Sequence, residues 1–286
     1  MHLNIKSVFD LFNHIRSFVS IEDLLNTSTI DDVAALLKLK IGQPISDDYA
    51  MQLALFLAYS SILPNQNGGP FGAVILNDGR LTSYGANHVT RLNDPTEHGE
   101  VNAIRQALGN HSSLNHSTLI TSCYPCPMCL GCAIDHNISQ IHYCSTPEDA
   151  KQYGNFKDQT LNDVLKAKQK TIPNSPTQFV FSKTDKIISP VTDSHGDSLI
   201  HVLQAVCKQY GFEPKGVSFV VNDALSLSLF EYMALQWSGI QISDLVFIHP
   251  VHSEKVTFFH SDKYQHIGQK IFELYQQIGQ PYGQED

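Results

Sequence analysis

Apolar residues recur at helical spacing from the start of the chain, at Val8, Leu11, Phe12, Ile15, Phe18 and Val19. That period predicts an amphipathic helix. A second helix is expected from Thr29 to Leu39, where Thr29 precedes Asp31 and Asp32, before Gly42 and Pro44 break the pattern. Residues 1–45 are therefore expected to form an N-terminal helical extension. Ser46 followed by Asp47 and Asp48 then marks a helix start, with acids at the positive end of the dipole, and the apolar run behind it carries the helix to about Ser61. The pattern next changes to short apolar runs. Phe71 to Leu76 reads as a strand, Asn77-Asp78-Gly79 as a turn, and Leu81 to Ala86 as its hairpin partner.

Asp94-Pro95-Thr96-Glu97 predicts a helix from Thr96 to Leu108, with Asp94 as cap, Pro95 in the first turn and Glu97 three residues after the cap. A strand at 119–121, a helix over 125–136, a strand over 138–144 and a helix over 161–168 follow. Helices alternating with short strands predict an α/β layer fold with one mixed sheet. Pro173 and Pro176 among polar neighbours suggest a linker at 169–177. Beyond it the alternation restarts, with strands at 179–181, 187–188, 217–221, 245–248 and 256–259 and helices at 198–210, 224–237 and 264–277. Four parts are thus expected: the extension 1–45, a main α/β domain 46–168, the linker 169–177, and a second small α/β domain 178–286.

Composition narrows the class. The chain is 42% hydrophobic and 16% charged, in the range of soluble globular proteins. A formal net charge of −9 removes the electrostatic support on which phosphate binding rests, and so argues against a nucleic-acid partner. The best apolar run, Leu53 to Tyr59, falls far short of the roughly 20 residues of a membrane span. His14 and Arg16 interrupt the N-terminal apolar residues where a signal peptide would need an unbroken core. A cytoplasmic location without membrane association is expected.

The six cysteines carry the chemistry. Cys123, Cys126, Cys129 and Cys132 follow one another at a three-residue spacing, with Cys144 and Cys207 apart. Without an export signal, such clustering reads as metal binding rather than a disulfide framework. Pro125-Cys126-Pro127-Met128-Cys129 supplies two thiolates, and His98 in His98-Gly99-Glu100 supplies an imidazole. Three ligands leave a fourth position open, as in a catalytic rather than a structural zinc site. Glu100, two residues after the histidine, is then placed as a proton shuttle. Zinc would supply a nucleophile by lowering the pKa of water to about 7, and a helix N-terminus would help hold Cys126 and Cys129 as thiolates. The competing arrangement is a closed site that recruits Cys123 or Cys132. Cys132, one helical turn after Cys129, could approach the same face.

These residues resemble a known group. H-x-E followed by P-C-x-x-C is the signature of the zinc nucleobase deaminases. Asn87-His88-Val89, Asn93 to Arg105, and Thr121 to Cys129 together resemble the cytidine-deaminase-like superfamily. Within it they are most similar to guanine deaminases and the related guanosine and tRNA adenosine deaminases. The resemblance covers about residues 46–165, including Gly69 to Ile75, and neither flank. It implies a three-layer deaminase fold, zinc held by His98, Cys126 and Cys129, and Glu100 as the catalytic proton shuttle. It further implies that Asn87 holds the substrate base and that Phe71, Gly72 and Ala73 line its pocket. Asp158 is the best-placed acidic residue for selecting guanine. A homodimer and a small-molecule purine substrate are expected, with guanine giving xanthine and ammonia. Guanosine, a pterin, a cytosine-type base or tRNA adenosine are the alternative substrates. A binding protein that uses the deaminase domain as a scaffold is the alternative of another class.

Two positions depart from the family pattern. Gly99 stands where alanine is usual, and Tyr124 where glutamate is usual. The second removes a charge beside the expected metal. In the C-terminal part, His249 and His252 read as a solvated loop, and Asn222-Asp223, at a strand end before a helix, reads equally as a ligand-facing end or a plain helix cap. Its expected role is assembly or regulation.

Overall fold

Ser46 starts the first described helix, its hydroxyl accepting from the backbone N–H of Tyr49. The helix α1, Asp47–Ser61, follows with Asp47 and Asp48 in its first turn. Every residue from Ala50 onward in α1 is buried, so it is covered on all sides rather than along one stripe. The structure is a computed structural model that describes residues 41–62, 68–156, 199–211, 229–238 and 256–278. It also describes strands at 179–183, 186–188, 217–221, 225–227, 241–242 and 246–248. The helices expected within 1–40 and at 161–168, the linker, and Asp158 lie outside the described residues.

The first sheet is built on the expected hairpin. Strands β1, Gly72–Asn77, and β2, Arg80–Ala86, pair antiparallel, turning through Asp78 and Gly79, both at positive φ. Asp and Gly tolerate that conformation, which the tight turn requires. Residues 42–45 run beside β2: Gly42 N–H donates to the Leu81 carbonyl at 2.7 Å, and Leu81 N–H to the Gln43 carbonyl at 3.0 Å. Strand β3, Thr118–Cys123, joins β1 antiparallel, and β4, Gln140–Ser145, joins β3 parallel.

Alternation along the strands decides which helix covers which face. A Cβ on Gly72 would overlap the backbone of α1 at Ala54. A Cβ on Gly85, which faces Ala73 across the hairpin, would overlap the backbone of α3, Gly99–Gly109. Thus α1 covers one face and α3 the other, with α4, Pro127–Asp135, beside α3. The result is the three-layer α/β arrangement with a mixed central sheet.

The element boundaries differ from expectation where side chains take other partners. The helix predicted from Thr96 starts only at Gly99, because Asp94 does not cap it. Asp94 Oδ1 accepts from Thr96 N–H at 2.9 Å and from the Thr96 hydroxyl at 2.7 Å, forming a local turn. Glu97, expected to close a capping box, instead pairs with Arg105 at 2.7 Å. Two short helices were not anticipated, α2, Val89–Leu92, and α5, Pro147–Gly154.

The stretch expected as a separate C-terminal domain contributes to both parts of the molecule. Strands β5, Phe179–Lys183, β6, Lys186–Ile188, β7, Val217–Val221, and β9, Gln241–Ile242, form a four-stranded sheet in the order β6-β5-β7-β9. Strands β8, Leu225–Leu227, and β10, Val246–Ile248, pair in parallel. The helix expected at 224–237 is thus a strand followed by a shorter helix, α7, Leu229–Trp237. An amphipathic helix, α6, Leu199–Tyr210, precedes them. The last strand and helix return to the first sheet. Strand β11, Thr257–His260, pairs in parallel with β4, giving the order β11-β4-β3-β1-β2. This covers the backbone edge that β4 would otherwise expose. Phe258 stacks on Tyr124 with ring centroids 5.2 Å apart.

Helix α8, Gln265–Ile278, then packs on α5, β4 and α1. Gln52 Nε2 donates to the Tyr264 hydroxyl at 2.8 Å just ahead of it. Among the described residues, no helix is long and apolar enough to cross a membrane.

Asp149 fastens α8 in place. Thr146 and Asp149 form a capping box at the start of α5, and Asp149 also accepts from Gln265 Nε2 at 2.7 Å and Gln269 Nε2 at 2.8 Å. Burial pulls its carboxyl upward, but the Thr146 N–H and these two amides outweigh it and hold the group below its ordinary value. Asp149→Ala is expected to destabilise the fold by about 1–2 kcal/mol at neutral pH, measured by urea denaturation. The difference from wild type should be complete above about pH 3.9, the ordinary Asp value, and vanish as acid titrates the lower folded value. A gap that persists unchanged in acid would assign the loss to packing instead.

Candidate metal centre and active site

His98 and Cys126 occupy equivalent places, each the N-cap of the helix that follows, α3 and α4 respectively. Both have extended backbones, so each side chain leaves its helix start sideways toward the other. Cys129 sits one turn inside α4. The three donor atoms form a small triangle. Cys126 Sγ is 3.6 Å from Cys129 Sγ and 3.6 Å from His98 Nδ1, and Cys129 Sγ is 3.5 Å from His98 Nδ1. All three residues are buried. Tetrahedral zinc, with bonds of about 2.3 Å to sulfur and 2.0–2.1 Å to nitrogen, sets ligand separations of roughly 3.5–3.8 Å. The residues present therefore fit a zinc ion.

Electrostatics point the same way. Burial opposes ionisation of both thiols. For Cys126 the hydrogen bond from Cys129 and the charge of His98 overcome it and hold the group well below its ordinary value. For Cys129 the neighbouring Cys126 adds to burial and holds the thiol well above. The pocket thus accommodates one negative sulfur and resists a second. A dication between the two thiolates relieves that repulsion. Cys123 and Cys132 stand apart from this group: Cys123 Sγ faces the Thr146 carbonyl at 3.6 Å, and Cys132 lies 3.9 Å from His136 Nδ1. Burial pushes the Cys132 thiol up to about 12. Among the described residues, the closed four-ligand alternative finds no fourth protein donor in the cluster.

Glu100 is buried beside the triangle, with Oε2 3.4 Å from Cys129 Sγ. Its other oxygen, Oε1, accepts from the Thr121 hydroxyl at 3.1 Å. Burial, and next the charge on Cys126, push the carboxyl above its ordinary range. Thr121 was not singled out from the sequence. Its signal was only its place on β3, opposite Ala73, which puts it under Glu100 once the strands are paired.

Asn87 is fully buried at the end of β2. Its Oδ1 accepts from Gly69 N–H at 3.0 Å and Val89 N–H at 3.2 Å, and among the described residues its Nδ2 is buried without a hydrogen-bond partner. A buried donor left unpaired costs about 1–3 kcal/mol, so this amide is ready for an acceptor from outside the chain. Phe71 and Gly72 are brought to the same place. The Phe71 carbonyl accepts from Asn87 N–H at 3.0 Å, and Gly72 N–H donates to Ser122 Oγ at 3.1 Å. The Phe71 ring packs edge-on against Phe156 and Phe272, with centroids 4.8 and 5.6 Å away. Ala73 is buried on β1, with its neighbour across the sheet being Thr121.

Gly99 lies between His98 and Glu100 and against the start of β1. A Cβ there would stand 3.1 Å from Gly72 Cα and 3.1 Å from the Phe71 carbonyl oxygen. Alanine, usual at this position in the resembling family, would be tight here, so glycine lets α3 seat directly on the strand. Tyr124 faces away from this crowding, edge-on to Tyr143 with centroids 5.0 Å apart and stacked on Phe258. It takes part in holding β11.

With this geometry in view, the comparisons with known proteins agree. Residues 44–145 match the model of the cytidine and deoxycytidylate deaminase zinc-binding region. Guanine deaminase of Bacillus subtilis (strain 168) is 44% identical over 111 residues, 37% of this chain and 70% of that protein. A tRNA-specific adenosine deaminase of Buchnera aphidicola subsp. Schizaphis graminum is 31% identical over 134 residues, 45% of this chain and 87% of that protein. Among solved structures, guanine deaminase from Bacillus subtilis matches at 30% identity, covering 56% of this chain and 95% of that one, with a TM-score of 0.38.

The seat of α3 on β2 gives a direct test. Because a Cβ on Gly85 would overlap backbone atoms of Gly99 and Ala103, Gly85→Ala must lift α3. The expected loss is about 1–3 kcal/mol, as for overpacked cores, together with lower bound metal by elemental analysis. A wild-type melting temperature with full metal content would show that the helix does not rest on this glycine.

Proposed function

The chain belongs to the deaminase family that carries the cytidine and deoxycytidylate deaminase zinc-binding region, and we propose that it deaminates guanine hydrolytically to xanthine and ammonia. The observation that carries the reaction type is the position of Glu100. It is a buried carboxyl, raised by burial, within 3.4 Å of one side of a triangle of three protein donors. The choice of guanine is supported by the 44% identity to a guanine deaminase and by Asn87, whose unpaired Nδ2 can donate to an acceptor on a purine ring.

In this reading His98, Cys126 and Cys129 hold zinc, which when bound acidifies a water molecule to a pKa near 7. Glu100 takes a proton from the attacking water and delivers it to the ring nitrogen next to the amino-bearing carbon. It then takes the remaining hydroxyl proton of the tetrahedral adduct and passes it to the departing amine, so that the C–N bond breaks, ammonia leaves and the carbonyl of xanthine remains. Thr121 holds the carboxyl in register by donating to Oε1. Asn87 fixes the base through its polar edge, and the backbone of Phe71, Gly72 and Ala73 lines the space beside it. Asp158 is proposed to select guanine, and the working form is proposed to be a cytoplasmic homodimer.

Deamination of adenosine in tRNA is the second reading, favoured by the 31% identity over 87% of a tRNA-specific relative. The net charge of −9 works against it, since an anticodon loop is held through phosphates by Lys and Arg.

Two measurements test the proposal. Ammonia release should be seen with guanine and should exceed that with guanosine, pterins, cytosine-type bases and tRNA; tRNA as the preferred substrate would replace guanine in this assignment. No release from any of them by zinc-loaded protein would leave a binding role for the domain. Glu100→Gln should retain zinc and lose about 10²–10⁴-fold in kcat, the usual contribution of a positioned acid–base group. Turnover near wild type in that variant would remove Glu100 from the reaction.

A further inference from the structure

The matching deaminase region ends at residue 145, yet two helices from beyond it reach the metal centre. Trp237, the last residue of α7, is 2% exposed. Its ring meets the His98 imidazole edge to face, with centroids 4.9 Å apart and planes at 74°. Helix α7 lies along α4, the helix that carries Cys126 and Cys129 at its start. A second contact arrives independently from α6. Gln204 Nε2 donates to Asp94 Oδ2 at 2.8 Å and approaches Thr96 Oγ1 at 3.3 Å. Asp94 and Thr96 form the turn that leads into His98. One contact therefore bears on the His98 ring and the other on the backbone path that delivers it.

We infer that Trp237 is a positioning residue for the His98 imidazole, and that the metal affinity of the centre is set partly by the C-terminal half of the chain. The inference rests on the proposed ligand set and not on guanine as the substrate. His98 is an N-cap with no side-chain hydrogen bond of its own to the helix, so the cap does not fix its ring. Nδ1 must face both sulfurs at once, which is one narrow range of ring rotation. The indole against the ring removes competing orientations and keeps water off that face. Partners that orient a metal-bound histidine by hydrogen bonding are worth 10–100-fold in affinity; an aromatic contact should act in the same way at the lower end of that range.

The test uses the full chain, stripped of metal and titrated with zinc against a chelating dye. Trp237→Ala should bind zinc about tenfold more weakly. Trp237→Phe, which restores an aromatic edge, should recover most of that loss. Leu235→Ala, at a fully buried position of α7 two residues earlier and so on another side of the helix from Trp237, removes packing elsewhere and should leave affinity close to wild type. Unchanged affinity in Trp237→Ala overturns the inference. So does an equal loss in Leu235→Ala with no rescue by phenylalanine, because that pattern is general loosening of the helix.

A measurement on the wild-type protein needs no variant to fold. Trp237 is the sole tryptophan of the chain, so its fluorescence reports this contact alone. One equivalent of Co²⁺ should quench it, and emission indifferent to cobalt would overturn the placement. Neither readout involves a substrate. Failure of guanine turnover with these readouts intact therefore counts against the proposed substrate and not against Trp237.

Discussion

Two helix N-termini converge on one point in this chain, and most of the fold serves to keep them there. His98 and Cys126 are the caps of α3 and α4, so the positive ends of both helix dipoles face the same small volume. That field suits thiolates and a carboxylate, and it would be wasted if the helices drifted apart. Backbone contact prevents drift: α3 sits on glycines in β1 and β2 with no side chain between, while α4 follows directly from β3 within the β3–α4–β4 crossover. The sheet thus sets the distance between His98 and the two cysteines. The separations of 3.5–3.6 Å among the donor atoms follow from how closely the layers can stack.

That dependence explains why the centre was legible in the sequence and its surroundings were not. Donor residues at fixed spacing need no tertiary information: C-x-x-C places two sulfurs on one helical turn, and H-x-E places an imidazole and a carboxyl at the start of another. The helix starts were legible only approximately. Asp94 and Glu97 have the letters of a capping box, but Glu97 has a better partner in Arg105 on the helix face, and Asp94 folds onto Thr96 instead. At Thr146 and Asp149 the same local signature was present and does form, although the helix it opens was not anticipated. Thr121, Trp237 and Gln204 carry no local signal, because each acts on a residue far away in sequence.

The C-terminal half changes meaning once its contacts are known. Read as a sequence, it is a second α/β unit after a proline-containing linker. In the structure β11 extends the first sheet, and α8 is tied to α5 by the two amides on Asp149. Helix α7 rests on α4. A parallel edge strand supplied from so far along the chain closes a long loop, which costs entropy but little extra per added residue. The arrangement makes the first sheet dependent on residues that the deaminase region itself does not include. Damage to the C-terminal half should therefore reach the metal centre through packing, whatever other role its own four-stranded sheet has.

Charge balance gives the last constraint on the proposed reaction. Two thiolates and a dication cancel, and neutral His98 adds nothing, so Glu100 is the formal charge that stands directly beside the triangle. Burial, and next the charge on Cys126, drive that carboxyl toward its neutral form, while the Thr121 hydroxyl holds Oε1 in place by donating to it. Burial thus leaves the group more ready to hold a proton than an exposed carboxylate. A group that must take a proton from water, deliver it to a ring nitrogen and then carry a second proton to a leaving amine has to work in both forms. Aspartate would be one methylene shorter and would lose the reach from α3 to both Thr121 and the Cys129 side of the triangle. The family signature specifies glutamate, and the geometry supplies the reason: the carboxyl has to span two strand-and-helix units whose separation the sheet has already set.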